Sequence, residues 1–156
     1  TFHLPIITFV DEPGFLIGPE AEKEATILYG TEAVLAVNET TVPWATVLVR
    51  KSFGVAAAAH FGNNPYVLDW PSSESGALPL EGGVAVAFAK EIANAENPEE
   101  RRKEIEEEMA KKQNPFSKAE SFSVHEIIDP SETRKYLCGW IEKVQPQLKA
   151  RLHIKQ

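Results

Sequence analysis

Cysteine is nearly absent. Cys138 is the only one in 156 residues, so no internal disulfide can staple the fold, and a core must hold it together. Cys138 sits in a helical pattern, where it is expected to be buried, and a lone thiol fits a reducing compartment. No apolar run approaches the ~20 residues that cross a bilayer. Thr1 to Val10 has neither the basic start nor the cleavage site of a secretory leader. Positive charge is in deficit: 16 Lys and Arg against 23 Asp and Glu give a net charge of −7, which argues against nucleic acid and anionic membrane as general partners. Methionine occurs only at Met109 and the first residue is Thr, so the chain is expected to be processed, trimmed or part of something longer.

Several chemistries lack their residues. There is no nucleotide-binding glycine loop and no Cys/His spacing for zinc. Ser52, Ser72, Ser73 and Ser75 have no nucleophile-elbow context. His3, His60, His125 and His153 are scattered, with only His60 near the corner described below; it reads as a hydrogen-bonded structural residue or as a catalytic or ligand residue. Asp11 and Glu12 form either an acid/base pair or a turn, and Asp69 reads as a turn residue at a strand end. No repeat or low-complexity segment is evident.

What is present is one α/β domain. Pro5–Val10 reads as a buried strand stopped by Asp11-Glu12-Pro13-Gly14. Phe15, Leu16 and Ile17 follow as an apolar trio that caps a core, walls a pocket or makes a subunit contact. Glu20–Val37 predicts one helix, acidic in its first turns, with Gly30 marking close packing. Trp44–Arg50 predicts a second strand, so strand, helix and strand make a crossover unit. Tyr66–Trp70 is a third apolar run, and Ser72–Pro79 a short strand or loop. Leu80–Ala95 reads as a helix of small residues. Asn97 caps a nearly all-charged helix that reaches Gln113. Asn114–Ser123 reads as a short helix or turn and Val124–Ile128 as a strand. Asp129, with Glu132 reaching back, starts a last helix that Pro146 ends or kinks.

The stretch WATVLVRKSFGVAAAAH, Trp44 to His60, stands out. A strand meets Ser52-Phe53-Gly54 and passes into an alanine-rich helical turn. N–H groups at a helix start have no partner within the helix and carry the positive end of its dipole. They suit an oxygen that gains negative charge. The corner also has a plain alternative, alanines chosen for close packing.

Four segments in this order, PIITFVDEPGF, TTVPWATVLVRKSFG, WPSSESGALPLEGG and NPFSKAESFSVHEIIDPSETRKYL, resemble the C-terminal half of the carboxyltransferase (beta) subunit of biotin-dependent acyl-CoA carboxylases. The resemblance implies an α/β crotonase-like spiral of β-β-α units, incomplete at its N-terminal end. Residues 1–145 would be a partial carboxyltransferase domain and 146–156 a tail. It further implies the biotin-side portion of an enzyme that moves a carboxyl group from carboxybiotin to an acyl-CoA. The backbone N–H groups of Val55 and Ala56 would form the oxyanion hole, with Gly54 as the turn glycine, and Gly14 and Phe15 would line the same pocket. Val55 stands where the family has a second glycine, and Ala58 where many members carry an aspartate associated with acyl-group choice. Biotin would come on a partner. The implied partners are an N-terminal carboxyltransferase half, a biotin carboxylase and a biotin carrier, with homo-oligomerisation, in cytoplasm or mitochondrial matrix. Two alternatives are a crotonase-fold acyl-CoA decarboxylase or hydratase that works without biotin, and a non-catalytic assembly module.

Overall fold

The computed structural model describes residues 2–153. Its centre is a parallel sheet. β1 (Ile6–Glu12) lies beside β2 (Trp44–Phe53), with Ile6 opposite Trp44 and Val10 opposite Leu48. β3 (Tyr66–Asp69) flanks β2 on its other side, Val47 opposite Leu68. The far end of β2 pairs instead with β4 (Glu74–Gly76), Phe53 opposite Gly76. β5 (Glu126–Ile127) extends the sheet beyond β3. The apolar runs at Pro5–Val10, Trp44–Arg50 and Tyr66–Trp70 thus supply the central strands, while the Phe15-Leu16-Ile17 trio lies outside any strand.

The residues of β2 alternate between the two cores. Ala45 and Val47 join Leu68, Ile128, Leu137, Trp140 and Val144 on one face. Leu48 joins Val10, Val67 and Val124 on the other. The first face is closed by α8 (Thr133–His153), whose Leu137, Trp140 and Val144 fall at helical spacing. Cys138 lies one step around from that stripe and is exposed, correcting the expectation that it is buried.

Three of the expected helices differ in extent. The segment after Gly18 is two helices, α1 (Pro19–Lys23) and α2 (Thr26–Asn38), because Ala25 takes a left-handed φ of 55° between them. The small-residue helix is likewise split by Phe88 into α4 (Leu80–Ala87) and α5 (Ala89–Ala93). Pro146 does not end α8: the helix continues through it to His153, since a proline removes one backbone bond and the following Gln, Leu, Lys and Ala are strong helix formers; the end of the expected 146–156 tail lies outside the described residues. Between β2 and β3 lies one short helix, α3 (Gly54–Ala58).

The caps follow the sequence closely. Asn97 Oδ1 accepts from the Glu100 N–H at the start of α6 (Pro98–Gln113), and Asn114 Oδ1 from the Ser117 N–H at the start of α7 (Pro115–Glu120). Asp129 accepts from Ser131 N–H, starting a 3-10 turn before α8. Glu132 pairs with Lys135 instead of reaching back. The charged helix α6 carries Arg102–Glu106 at i,i+4 spacing, and Arg101 bridges Glu104 and Glu91 of α5. Its buried residues are Ile105 and Gln113.

Asp69 is not a turn residue. It is fully buried, with Lys118 Nζ of α7 at 2.6 Å from Oδ2, an ion pair off the hydrogen-bond axis. The same ammonium donates to Ser73 Oγ at 2.9 Å, and the Ser73 hydroxyl donates to Asp69 Oδ1. Removing one member of a buried pair leaves an uncompensated charge. Lys118→Met is therefore expected to cost about 3–5 kcal/mol in urea unfolding, with much of that loss recovered in the Asp69→Asn/Lys118→Met double variant. Equal destabilisation in both would show that the ion pair is not the cause.

Candidate functional site

The site begins where β2 stops. Phe53 is still extended, at φ −123° and ψ 140°, and Gly54 turns the chain with a left-handed φ of +64°. A residue with a Cβ would be strained at that φ. It would also stand 3.5 Å from the Ala77 carbonyl oxygen. Gly54, Val55 and Ala56 form the first turn of α3, and no side chain caps it. Their N–H groups are the ones for which a helix offers no partner of its own. Val55 is 64% exposed, whereas Ala56 and Ala57 are buried.

Beside the turn lies a cavity of about 560 Å³. Ser52, Gly54, Ala57 and Ala58 border it on the corner side, and Lys118 and Val124 on the other. Neither Val55 nor Ala56 borders it. Ala57 and Ala58 give this part of the wall short side chains.

The remaining residues singled out from the sequence fall into two groups. Near the turn after β1, Gly14 has φ +135°, and its N–H donates to Glu12 Oε1 at 2.9 Å. Phe15 packs its ring on Gly30 of α2, filling the space where a Cβ would be; this is the close packing that Gly30 signalled. Neither Gly14 nor Phe15 borders the 560 Å³ cavity. Asp11 holds Arg50 Nε at 3.0 Å and accepts from the Lys51 N–H at 3.2 Å. The guanidinium holds its carboxyl below the usual carboxylate range. Asp11 and Glu12 thus serve the turn and strand, not as an acid/base pair.

His60 closes α3 onto the sheet through its backbone. Its carbonyl oxygen accepts from Thr8 Oγ1 at 2.8 Å, Trp44 Nε1 at 2.9 Å and Thr46 Oγ1 at 2.9 Å. Its ring nitrogen Nε2 lies 4.0 Å from Glu12 Oε2, tying the end of α3 to the turn after β1. His125 is structural too: Nδ1 accepts from the Val67 N–H at 3.0 Å. Sequence reasoning missed Lys118 and Gln113. No local signal marks either, since each is defined by a distant contact. Among the described residues no His, Cys, Asp and Glu cluster could hold a metal ion.

A family model described as "Carboxyl transferase domain" matches residues 1–150. The chain belongs to the carboxyl transferase family. It is 33% identical over 155 residues to the propionyl-CoA carboxylase carboxyltransferase subunit of Haloferax mediterranei, covering 96% of this chain and 30% of that protein. It is 37% identical over 142 residues to the mitochondrial propionyl-CoA carboxylase beta chain of Homo sapiens, covering 88% and 25% respectively. Among solved structures, the transcarboxylase 12S hexamer with methylmalonyl-CoA and methylmalonic acid bound superposes with a TM-score of 0.80 at 35% identity, over 91% of this chain and 28% of that one. The geranyl-CoA carboxylase beta subunit of P. aeruginosa, at 21% identity and a TM-score of 0.83 over 95% of this chain and 30% of that one, shares the fold. The crotonase-like α/β expectation holds. The chain spans less than a third of the length of these relatives.

The corner depends on Gly54. Gly54→Ala places a side chain in the left-handed region at about 1–2 kcal/mol. Thermal unfolding is expected to show that loss, and a variant as stable as the parent would mean that the turn tolerates a Cβ.

Proposed function

We propose that this chain is the biotin-side portion of a carboxyltransferase that moves a carboxyl group from carboxybiotin to an acyl-CoA. The observation that carries the reading is the uncapped turn at Gly54–Ala56 beside a 560 Å³ cavity, in a member of the carboxyl transferase family.

Biotin, brought by a partner, supplies the carboxyl group and a ring nitrogen able to take a proton from the acyl-CoA. The chain's part is to bind and stabilise. The Val55 and Ala56 N–H groups would hold the ureido oxygen as it gains charge, in a site where fixed donors act more strongly than in water. The fit is supported by the donor set: two main-chain amides need no proton of their own to move, and Gly54 lets the backbone come close to a ligand. Gly14 and Phe15 would contribute from the turn after β1, with Phe15 steadied by Gly30.

A biotin-free decarboxylase or hydratase would need a side-chain acid or base at the cavity. The charged residue bordering it is Lys118, held by the buried Asp69. The corner offers backbone instead, which favours the biotin-dependent reading.

The CoA-binding side would come from an N-terminal carboxyltransferase half, and a biotin carboxylase and a biotin carrier would complete the system. Self-association fits the surface. Leu16 and Ile17 are 77% and 89% exposed, and α2 exposes Ile27, Leu28, Tyr29 and Leu35. The cytoplasm or mitochondrial matrix is the proposed compartment; the human relative's name places that protein in mitochondria.

The test is decarboxylation of a malonyl-type acyl-CoA with free biotin, run on the full-length protein that carries this chain. Turnover is expected to require biotin. Replacing the Ala56 amide by an ester, through the corresponding hydroxy acid, removes one N–H and keeps the side chain. It is expected to lower kcat by roughly 10²–10³-fold. Biotin-independent turnover, or an ester variant with unchanged kcat, would refute the proposal.

A further inference from the structure

Gln113, the last residue of α6, is only 5% exposed, yet half of its amide is unused. Its Nε2 donates to the Leu78 carbonyl oxygen at 2.8 Å. Its Oε1 is buried without a hydrogen-bond partner among the described residues. Leaving a buried acceptor unmatched costs about 1–3 kcal/mol. Such exceptions to polar pairing gather where function constrains the structure.

The contacts of this amide lead to the corner. A Cβ on Gly76 would stand 3.2 Å from Gln113 Nε2 and 3.3 Å from its Cγ, so Gly76 lies directly on the side chain. Gly76 is also the residue paired with Phe53 across β4 and β2. In the next two residues, the Ala77 carbonyl faces Gly54 and the Leu78 carbonyl faces Gln113. Ala77 and Leu78 form the bend that follows β4, so one short run of backbone touches both the glutamine and the turn glycine.

We propose that Gln113 is a positioning residue for the corner amides. By holding Gly76 and the Leu78 carbonyl, it seats the Ala77 carbonyl against Gly54. Gly54 is thereby kept in its left-handed conformation, and the aim of the Val55 and Ala56 N–H groups is fixed. This role rests on the carboxyl-transfer function proposed for the corner. Gln113 itself is remote from the reacting atoms and acts through the 76–78 segment.

The test uses the full-length carboxyltransferase carrying this chain. Gln113→Met keeps length and volume and removes the donor. Hydrogen exchange over residues 53–57 is expected to quicken roughly tenfold. The kcat for biotin-dependent decarboxylation is expected to fall by roughly tenfold or more, with KM for the acyl-CoA near the parent value. Ile105→Val, also buried on α6, is the control: it lowers the melting temperature and leaves both readouts unchanged. Unchanged exchange and kcat in Gln113→Met would overturn the role of Gln113 alone, provided the Ala56 ester still lowers kcat. Faster exchange with intact kcat would overturn the corner as the seat of the chemistry, and the proposal with it.

Discussion

β2 is the constraint on which everything else depends. One ten-residue strand has β1 along one edge and divides its other edge between β3 and β4. A strand in that position has almost no freedom of register, because a slip of one residue would exchange the Ala45 and Val47 face with the Thr46 and Leu48 face. The chain leaves β2 at Gly54, so the position of the corner is fixed by the sheet and not by the loop that follows.

The elements legible from the sequence were those whose cause is local. β1, β2 and β3 announce themselves as short β-branched runs between turn residues. The Asn97 cap followed by Pro98 announces α6. Gly30 announced a close neighbour without naming it, and the neighbour is Phe15. The missed features have distant causes. Ala25 and Phe88 interrupt helices with no glycine or proline to mark them, so packing decides the break. Asp69 looks like any residue at a strand end until Lys118 is folded beside it. Gln113 ends a charged helix and has nothing in its own neighbourhood to show that it is buried.

The polar interior divides according to purpose. The Asp69–Lys118–Ser73 cluster spends nearly every donor and acceptor internally and joins β3 to α7. The His60 carbonyl gathers three donors and joins the end of α3 to β1 and β2. Both are closed knots that flank the corner. The first turn of α3 lies between them without a cap.

The sheet order also bears on how the chain reaches this state. β5 is a two-residue strand that covers β3, and it belongs to a part of the chain far later in synthesis, with Leu68 opposite Glu126. Pairings of such long sequence separation are closed late, because their loop entropy must be overcome first. While the nascent chain still lacks that segment, β3 has an open edge rich in apolar residues. Such an edge is a template for the wrong partner, so the interval between the emergence of β3 and of β5 is when this polypeptide is most exposed to misassembly.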